Sequence, residues 1–133
     1  MHEGWEIARP VARGAKKRRP LYVSLNKRGE IVMSERAFAA IGPTAMVTLL
    51  YDPERRTIGV KFPVPKDKHF FYVRKYGRGR RNRIVRAGSM LKQFGITVEK
   101  TMKFENVRVE KIGQEPMLVL ELGTQGNEMA TSI

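Results

Sequence analysis

The 133-residue sequence contains no cysteine and only two histidines, His2 and His69. Without thiols there is no disulfide framework, no thiolate nucleophile and no Cys-ligated zinc or iron-sulfur site. Two imidazoles far apart in the chain leave a His-based metal cage or catalytic triad without its parts. Acidic residues are scarce as well, with 13 Asp+Glu against 26 Lys+Arg and a formal charge of +13. Glu99, Glu105, Glu110 and Glu115 are spread along solvated strand faces and form no carboxylate pair for acid-base work. The expectation is a protein that is not an enzyme and uses no cofactor or metal. Long apolar runs are missing too. No stretch approaches the ~20 residues that cross a bilayer, and no hydrophobic signal core follows the basic N-terminal residues. A soluble cytoplasmic protein without membrane contact is expected.

What is present is a packed-core composition, 41% hydrophobic, at a length that fits one compact domain. The positive charge is concentrated in two places. Residues 1–20 hold six cations and two acids, and residues 63–86 hold nine and one, whereas residues 87–122 hold five of each. The first focus ends in Lys16, Lys17, Arg18 and Arg19, flanked by Pro10 and Pro20 with few core formers, and reads as a flexible basic arm over residues 1–20. The second, Arg74-Lys75-Tyr76-Gly77-Arg78-Gly79-Arg80-Arg81-Asn82-Arg83, lies between two apolar strand candidates and reads as a loop held by a fold. Residues 123–133 are polar and aperiodic and read as a disordered tail.

Alternation of Leu21, Val23 and Leu25 with polar partners predicts a strand, and Asn26-Lys27-Arg28-Gly29 supplies a turn. Ile31-Val32-Met33 resumes the strand. Ser34 caps a two-turn helix over Glu35 to Ile41, stopped by Gly42 and Pro43. Met46 to Tyr51 and Thr57 to Phe62 form a hairpin around Asp52-Pro53-Glu54-Arg55-Arg56. The same order then returns: a strand at Phe70 to Val73, the Arg/Gly-rich loop, a strand at Ile84-Val85, and a helix at Met90 to Phe94 before Gly95. Runs at Thr101 to Lys111 and Met117 to Leu122 close the series. At an offset of 53 residues Ile31-Val32 meets Ile84-Val85, Phe38 meets Leu91, Ile41 meets Phe94, Gly42 meets Gly95 and Tyr51 meets Phe104. Before the loop Tyr22-Val23 meets Tyr72-Val73 at an offset of 50. Two repeats, 21–66 and 67–122, joined as one β-rich domain with two short helices, follow from this duplication.

The strand, Gly-terminated turn, Ile-Val-hydrophobic strand, short helix and closing hairpin resemble the AbrB-type swapped-hairpin family of bacterial regulators and antitoxins. The family's Gly-Arg-Ile-hydrophobic-hydrophobic-Pro stretch stands here as Gly29-Glu30-Ile31-Val32-Met33-Ser34, with Glu30 and Ser34 departing from it. In the second half Arg83 restores the basic residue before Ile84. Two units in one chain are similar to the tandem MraZ arrangement, and the resemblance implies one intertwined barrel with a pseudo-twofold axis. The chain also resembles a group of small uncharacterised bacterial proteins through Leu49-Leu50-Tyr51-Asp52 and Ile58-Gly59.

Guanidinium forks match phosphate oxygens and the guanine O6/N7 edge. Gly77 and Gly79 allow close backbone approach to a phosphate. The expected ligand is nucleic acid, double-stranded DNA ahead of RNA, bound by a nucleoid-associated regulator or architectural protein. The candidate contacts are Lys16, Lys17, Arg18, Arg19, Lys27, Arg28, Arg74, Lys75, Tyr76, Arg78, Arg80, Arg81, Arg83 and Arg86, with Tyr76 a candidate to stack on a base. If the halves pair, the turn at Asn26 to Glu30 is expected to share one basic edge with Lys75 to Arg83. The alternative is an antitoxin-like or scaffold module that binds an acidic protein or an RNA; beside nucleic acid, the partner expectation includes a homodimer or a protein partner.

Overall fold

The computed structural model describes residues 20–122 together with Ala8. Lys16, Lys17, Arg18 and Arg19 of the expected arm, and the tail at 123–133, lie outside the described residues. Among the described residues the fold is mainly β with two short helices. Its elements are β1 (Tyr22–Leu25), β2 (Glu30–Met33), α1 (Glu35–Ile41), β3 (Met46–Asp52), β4 (Thr57–Lys61), β5 (Phe71–Tyr76), a 3-10 turn (Arg78–Arg80), β6 (Asn82–Arg86), α2 (Gly88–Gln93), β7 (Met102–Glu105), β8 (Arg108–Ile112) and β9 (Glu115–Glu121).

Local chemistry accounts for the first half. Val23 and Leu25 alternate into the core. The Asn26 side-chain oxygen accepts from the backbone N–H groups of Arg28 and Glu30, both at 3.0 Å, which closes the β1–β2 turn. Gly29 takes φ 84° there, and a side chain at this position would come within 2.7 Å of the Gly88 Cα. Ser34 caps α1, its Oγ accepting from Ala37 N at 3.2 Å and from Tyr22 N at 3.0 Å. Ala37, Phe38 and Ile41 form the buried face of α1, and Gly42 at φ 95° ends it.

All strand pairs are antiparallel, in the order β7-β1-β2-β6-β5-β3-β4-β9-β8. The centre is the β2–β6 pair, where Ile31 faces Val85 and Val32 faces Ile84. A shift of 53 residues with exchange of halves turns one of these pairs into the other. The sequence duplication is therefore a pseudo-twofold axis between β2 and β6. It extends outward through β1 and β5 to β7 and β3. Beyond β3 the sheet runs on into β4, β9 and β8, which have no counterpart outside β7 among the described residues. Strands β7 and β8 are separated in the chain by Asn106 and Val107 alone, yet stand at opposite ends of the order. The nine strands accordingly curl strongly, into a half-barrel. Its interior holds Val23, Leu25, Ile31, Met33 and Val85, covered by Phe38, Ile41, Met90 and Leu91 from the helices and by Leu118 and Leu120 from β9. Each such side chain contributes about 1.5–3 kcal/mol by leaving water.

Three expectations need correction. The run Thr101 to Lys111 is not one strand. Asn106, at φ 53°, turns the chain and donates its N–H to the Leu21 carbonyl at 2.9 Å, so that β7 joins β1 while β8 joins β9. A straight strand cannot serve both ends of a curled sheet. The equivalence of Tyr51 with Phe104 also fails. Phe104 faces Val23, and the matching neighbour of Val73 is Ala45, whose carbonyl accepts from Val73 N at 2.9 Å. The connection from α2 to β7 is longer than that from α1 to β3, which moves the register. Finally, β5 continues to Tyr76 and β6 starts at Asn82, so the Arg/Gly-rich segment is only partly a loop. Its flanks keep paired backbones despite their charge. Among the described residues no helix is long and apolar enough to cross a membrane.

Candidate nucleic-acid interface

Strand β3 begins its pairing with β5 at Val47–Phe71 and Met46–Tyr72, and the last bond across this seam is the one from Val73 N to Ala45. Among the described residues the only strand beside β5 from Arg74 onward is β6, through Arg74–Ile84, Lys75–Arg83 and Tyr76–Asn82. On its other side β6 is flanked by β2 as far as the Met33–Arg83 pair, so the part of the β5–β6 hairpin that extends beyond β2 as a two-stranded ribbon is the Tyr76–Asn82 pair with a five-residue tip, Gly77 to Arg81. Gly77 (φ 85°), Gly79 (φ 72°) and Arg80 (φ 53°) all take left-handed backbone angles, and Arg80 N donates to the Gly77 carbonyl at 3.0 Å. Such a tip needs glycine where a Cβ would strain the chain.

Arg83 braces this tip. Its Nη1 donates to the carbonyls of Arg81 (2.8 Å), Asn82 (3.1 Å) and Arg80 (3.3 Å). The guanidinium carbon also lies 5.0 Å from the centre of the Phe38 ring on α1. One end of this side chain is therefore spent on shaping the loop. Asn82 Nδ2 donates to the Tyr22 hydroxyl at 3.3 Å, which ties the ribbon to the start of β1.

Strand alternation sorts the rest. Val73 and Lys75 share the inner face with Val85 and Arg83; Tyr72, Arg74 and Tyr76 share the outer face with Asn82, Ile84 and Arg86. Arg74, Lys75, Tyr76, Arg78, Arg80, Arg81 and Arg86 are exposed. Among the described residues no carboxylate lies within 4.0 Å of the charged groups of Arg74, Lys75, Arg78, Arg80, Arg81, Arg83 or Arg86. Ion pairs form elsewhere: Arg28–Glu30, Arg55–Glu110, Lys61–Asp67, Lys103–Glu105, Arg108–Glu110 and Arg108–Glu121.

The site does not gather every expected residue. Antiparallel pairing of β2 with β6 sets Met33 beside Arg83 and Glu30 beside Arg86. The turn that carries Lys27 and Arg28 is therefore at the opposite end of the strands from the tip, not on a shared edge. Arg28 is also drawn toward Glu30, at 3.8 Å. Arg86 lies toward the base of the ribbon. Conversely, Val23 faces Met33, so β1 begins at the ribbon end of the sheet.

A residue that composition did not single out shapes the approach to the ribbon. Asp67, in the connection between halves, accepts from Val64 N, Lys61 Nζ and Thr48 Oγ1, each at 2.9 Å. The backbone N–H of Val64, joined by the Lys61 ammonium, holds its carboxyl down from 3.8 to about 2. Lys61 is almost fully buried and its charge is met there. Among the described residues no group of three or more His, Cys, Asp or Glu side chains could hold a metal ion. Comparison of the chain with family models, curated proteins and solved structures gave no match.

Proposed function

We propose that the protein binds nucleic acid, with the β5–β6 ribbon and the basic arm as its phosphate-contacting parts and duplex DNA as the principal target. One observation carries this reading: the β5–β6 hairpin and its tip bear seven cations from Arg74 to Arg86 and no carboxylate within ion-pairing distance among the described residues. The two-stranded end of this hairpin, Tyr76–Asn82 with the Gly77–Arg81 tip, fits the roughly 12 Å width of the B-DNA major groove. Arg78, Arg80 and Arg81 at the tip are then the bidentate contacts to phosphate or guanine, while Arg74 and Lys75 follow the backbone. The resemblance to AbrB-type regulators and the pseudo-twofold β2–β6 centre support the same reading, with a regulatory or architectural role on the nucleoid. Anisotropy titration of a labelled random duplex tests it. Binding should weaken steeply between about 50 and 200 mM salt, with a logarithmic slope of about −0.9 per phosphate contacted. Absence of binding, or binding indifferent to salt, would overturn the proposal.

A further inference from the structure

The outer face of β5 carries aromatic rings that the fold does not use. Tyr72 is 69% exposed and Tyr76 46%, with Phe70 just ahead of the strand at 39%. Positions 72, 74 and 76 alternate on one face, so Tyr72 and Tyr76 flank Arg74 at about 13 Å from each other, four residues at roughly 3.3 Å each. Arg86 lies on the same face of β6, one step past the Val73–Val85 pair, and Asn82 faces Tyr76. The inner residues of the same strand, Phe71 and Val73, pack against the core. The outward rings are not among the side chains packed on the core, and they leave apolar faces in water beside the guanidinium groups of Arg74 and Arg86.

We infer that this face is a stacking platform for single-stranded nucleic acid: Tyr72 and Tyr76 take the faces of unpaired bases, and Arg74 and Arg86 hold the phosphates between them. Charge complementarity selects the occupant, because the cations on this face have no acidic partner among the described residues. Ring exposure selects the strandedness. A base offers its π-face to a protein ring only when it is out of a duplex. The inference rests on the reading that the chain binds nucleic acid, and adds a second subsite beside the Arg-rich tip.

The test uses the full chain and labelled oligo(dT), oligo(U) and a duplex, each about twelve nucleotides long, in anisotropy titrations at fixed salt. The variants are Tyr72→Ala/Tyr76→Ala and Tyr72→Phe/Tyr76→Phe; both positions are exposed, so neither substitution opens a cavity. The double alanine variant should bind the single strands at least about tenfold more weakly, since each stacked base is worth a large factor. Its duplex affinity should change less than about twofold, and the phenylalanine variant should keep single-strand affinity within about threefold. Stronger binding of oligo(U) than of oligo(dT) assigns the platform to RNA, and the reverse assigns it to DNA. Duplex binding by the wild type without single-strand binding overturns this inference alone, whereas binding of neither overturns the parent reading as well. An alanine variant that binds as the wild type does, that loses duplex and single strand equally, or that is matched in its loss by the phenylalanine variant also overturns it.

Discussion

The β5–β6 ribbon and the β8–β9 hairpin are both pairs of antiparallel strands in the second half of the chain, and they treat charge in opposite ways. In the hairpin, Arg108 lies 2.9 Å from both Glu110 and Glu121, and Glu110 also reaches Arg55 at 3.6 Å. Its inner side sends Leu118 and Leu120, fully buried, against the core. In the ribbon, cations follow one another without an acidic residue from Arg74 to Arg86. Past Val73 the exposed positions dominate. One chain thus contains a hairpin in which Arg108, Glu110 and Glu121 are paired and a ribbon whose cations have no carboxylate within 4.0 Å among the described residues. The contrast separates stability from binding, and it can be broken by substitutions on either side.

The largest effect on stability belongs to the hairpin. Leu118→Ala removes a fully buried side chain at the β4–β9 seam and should cost about 2–5 kcal/mol in urea unfolding. Arg80→Glu/Arg81→Glu at the ribbon tip should move the same transition by less than about 0.5 kcal/mol. In binding the order reverses. The tip variant should weaken duplex binding by about a hundredfold, two charge-assisted hydrogen bonds being lost. Lys100→Glu/Lys103→Glu should cost only a few-fold, because Lys103 already faces Glu105 at 3.7 Å and the Tyr22 ring at 4.6 Å. Equal losses in titrations of the two variants would mean that total charge, not the ribbon, is read.

A smaller effect sharpens the contrast through pH. The Asp67 carboxyl is held at about 2 by the Val64 N–H and Lys61, below its unfolded value near 3.9. The stability it supplies is complete above that unfolded value and disappears as pH falls toward 2. Asp67→Asn should be less stable than the wild type near neutrality, and the difference should shrink as acid unfolding is followed downward from about pH 5. The smallest effect is expected at Arg108→Ala. Arg108 and Glu121 are exposed and Glu110 is only half-buried, so thermal unfolding should report no more than about 1 kcal/mol.

Much of the architecture was legible in residue order. Ser34 and Gly42 bracket α1 as the capping chemistry requires, and the 53-residue offset of Ile31-Val32 to Ile84-Val85 reappears as the central strand pair. Pairing direction was not legible, because alternation fixes which face a residue occupies and says nothing about which end of a neighbouring strand it meets. Lys27 and Arg28 were placed beside the tip for that reason. The break at Asn106 had a signal in the residue type, because Asn is depleted in strands and favoured at positive φ, but the alternating run on either side masked it. For the candidate site, composition located the cations. It did not show that Arg83 turns back onto three carbonyls, nor that Tyr72 stands almost clear of the protein.

The salt dependence of duplex binding tests the ribbon's assignment most directly, because counterion release counts phosphate contacts independently of overall affinity. Titrations of the wild type and of a variant with Arg78, Arg80 and Arg81 all changed to Gln should give lines of different slope. If each tip arginine meets one phosphate, the variant's slope is flatter by about 2.7, three times about 0.9. Parallel lines would contradict the account and place the phosphate contacts elsewhere on the chain.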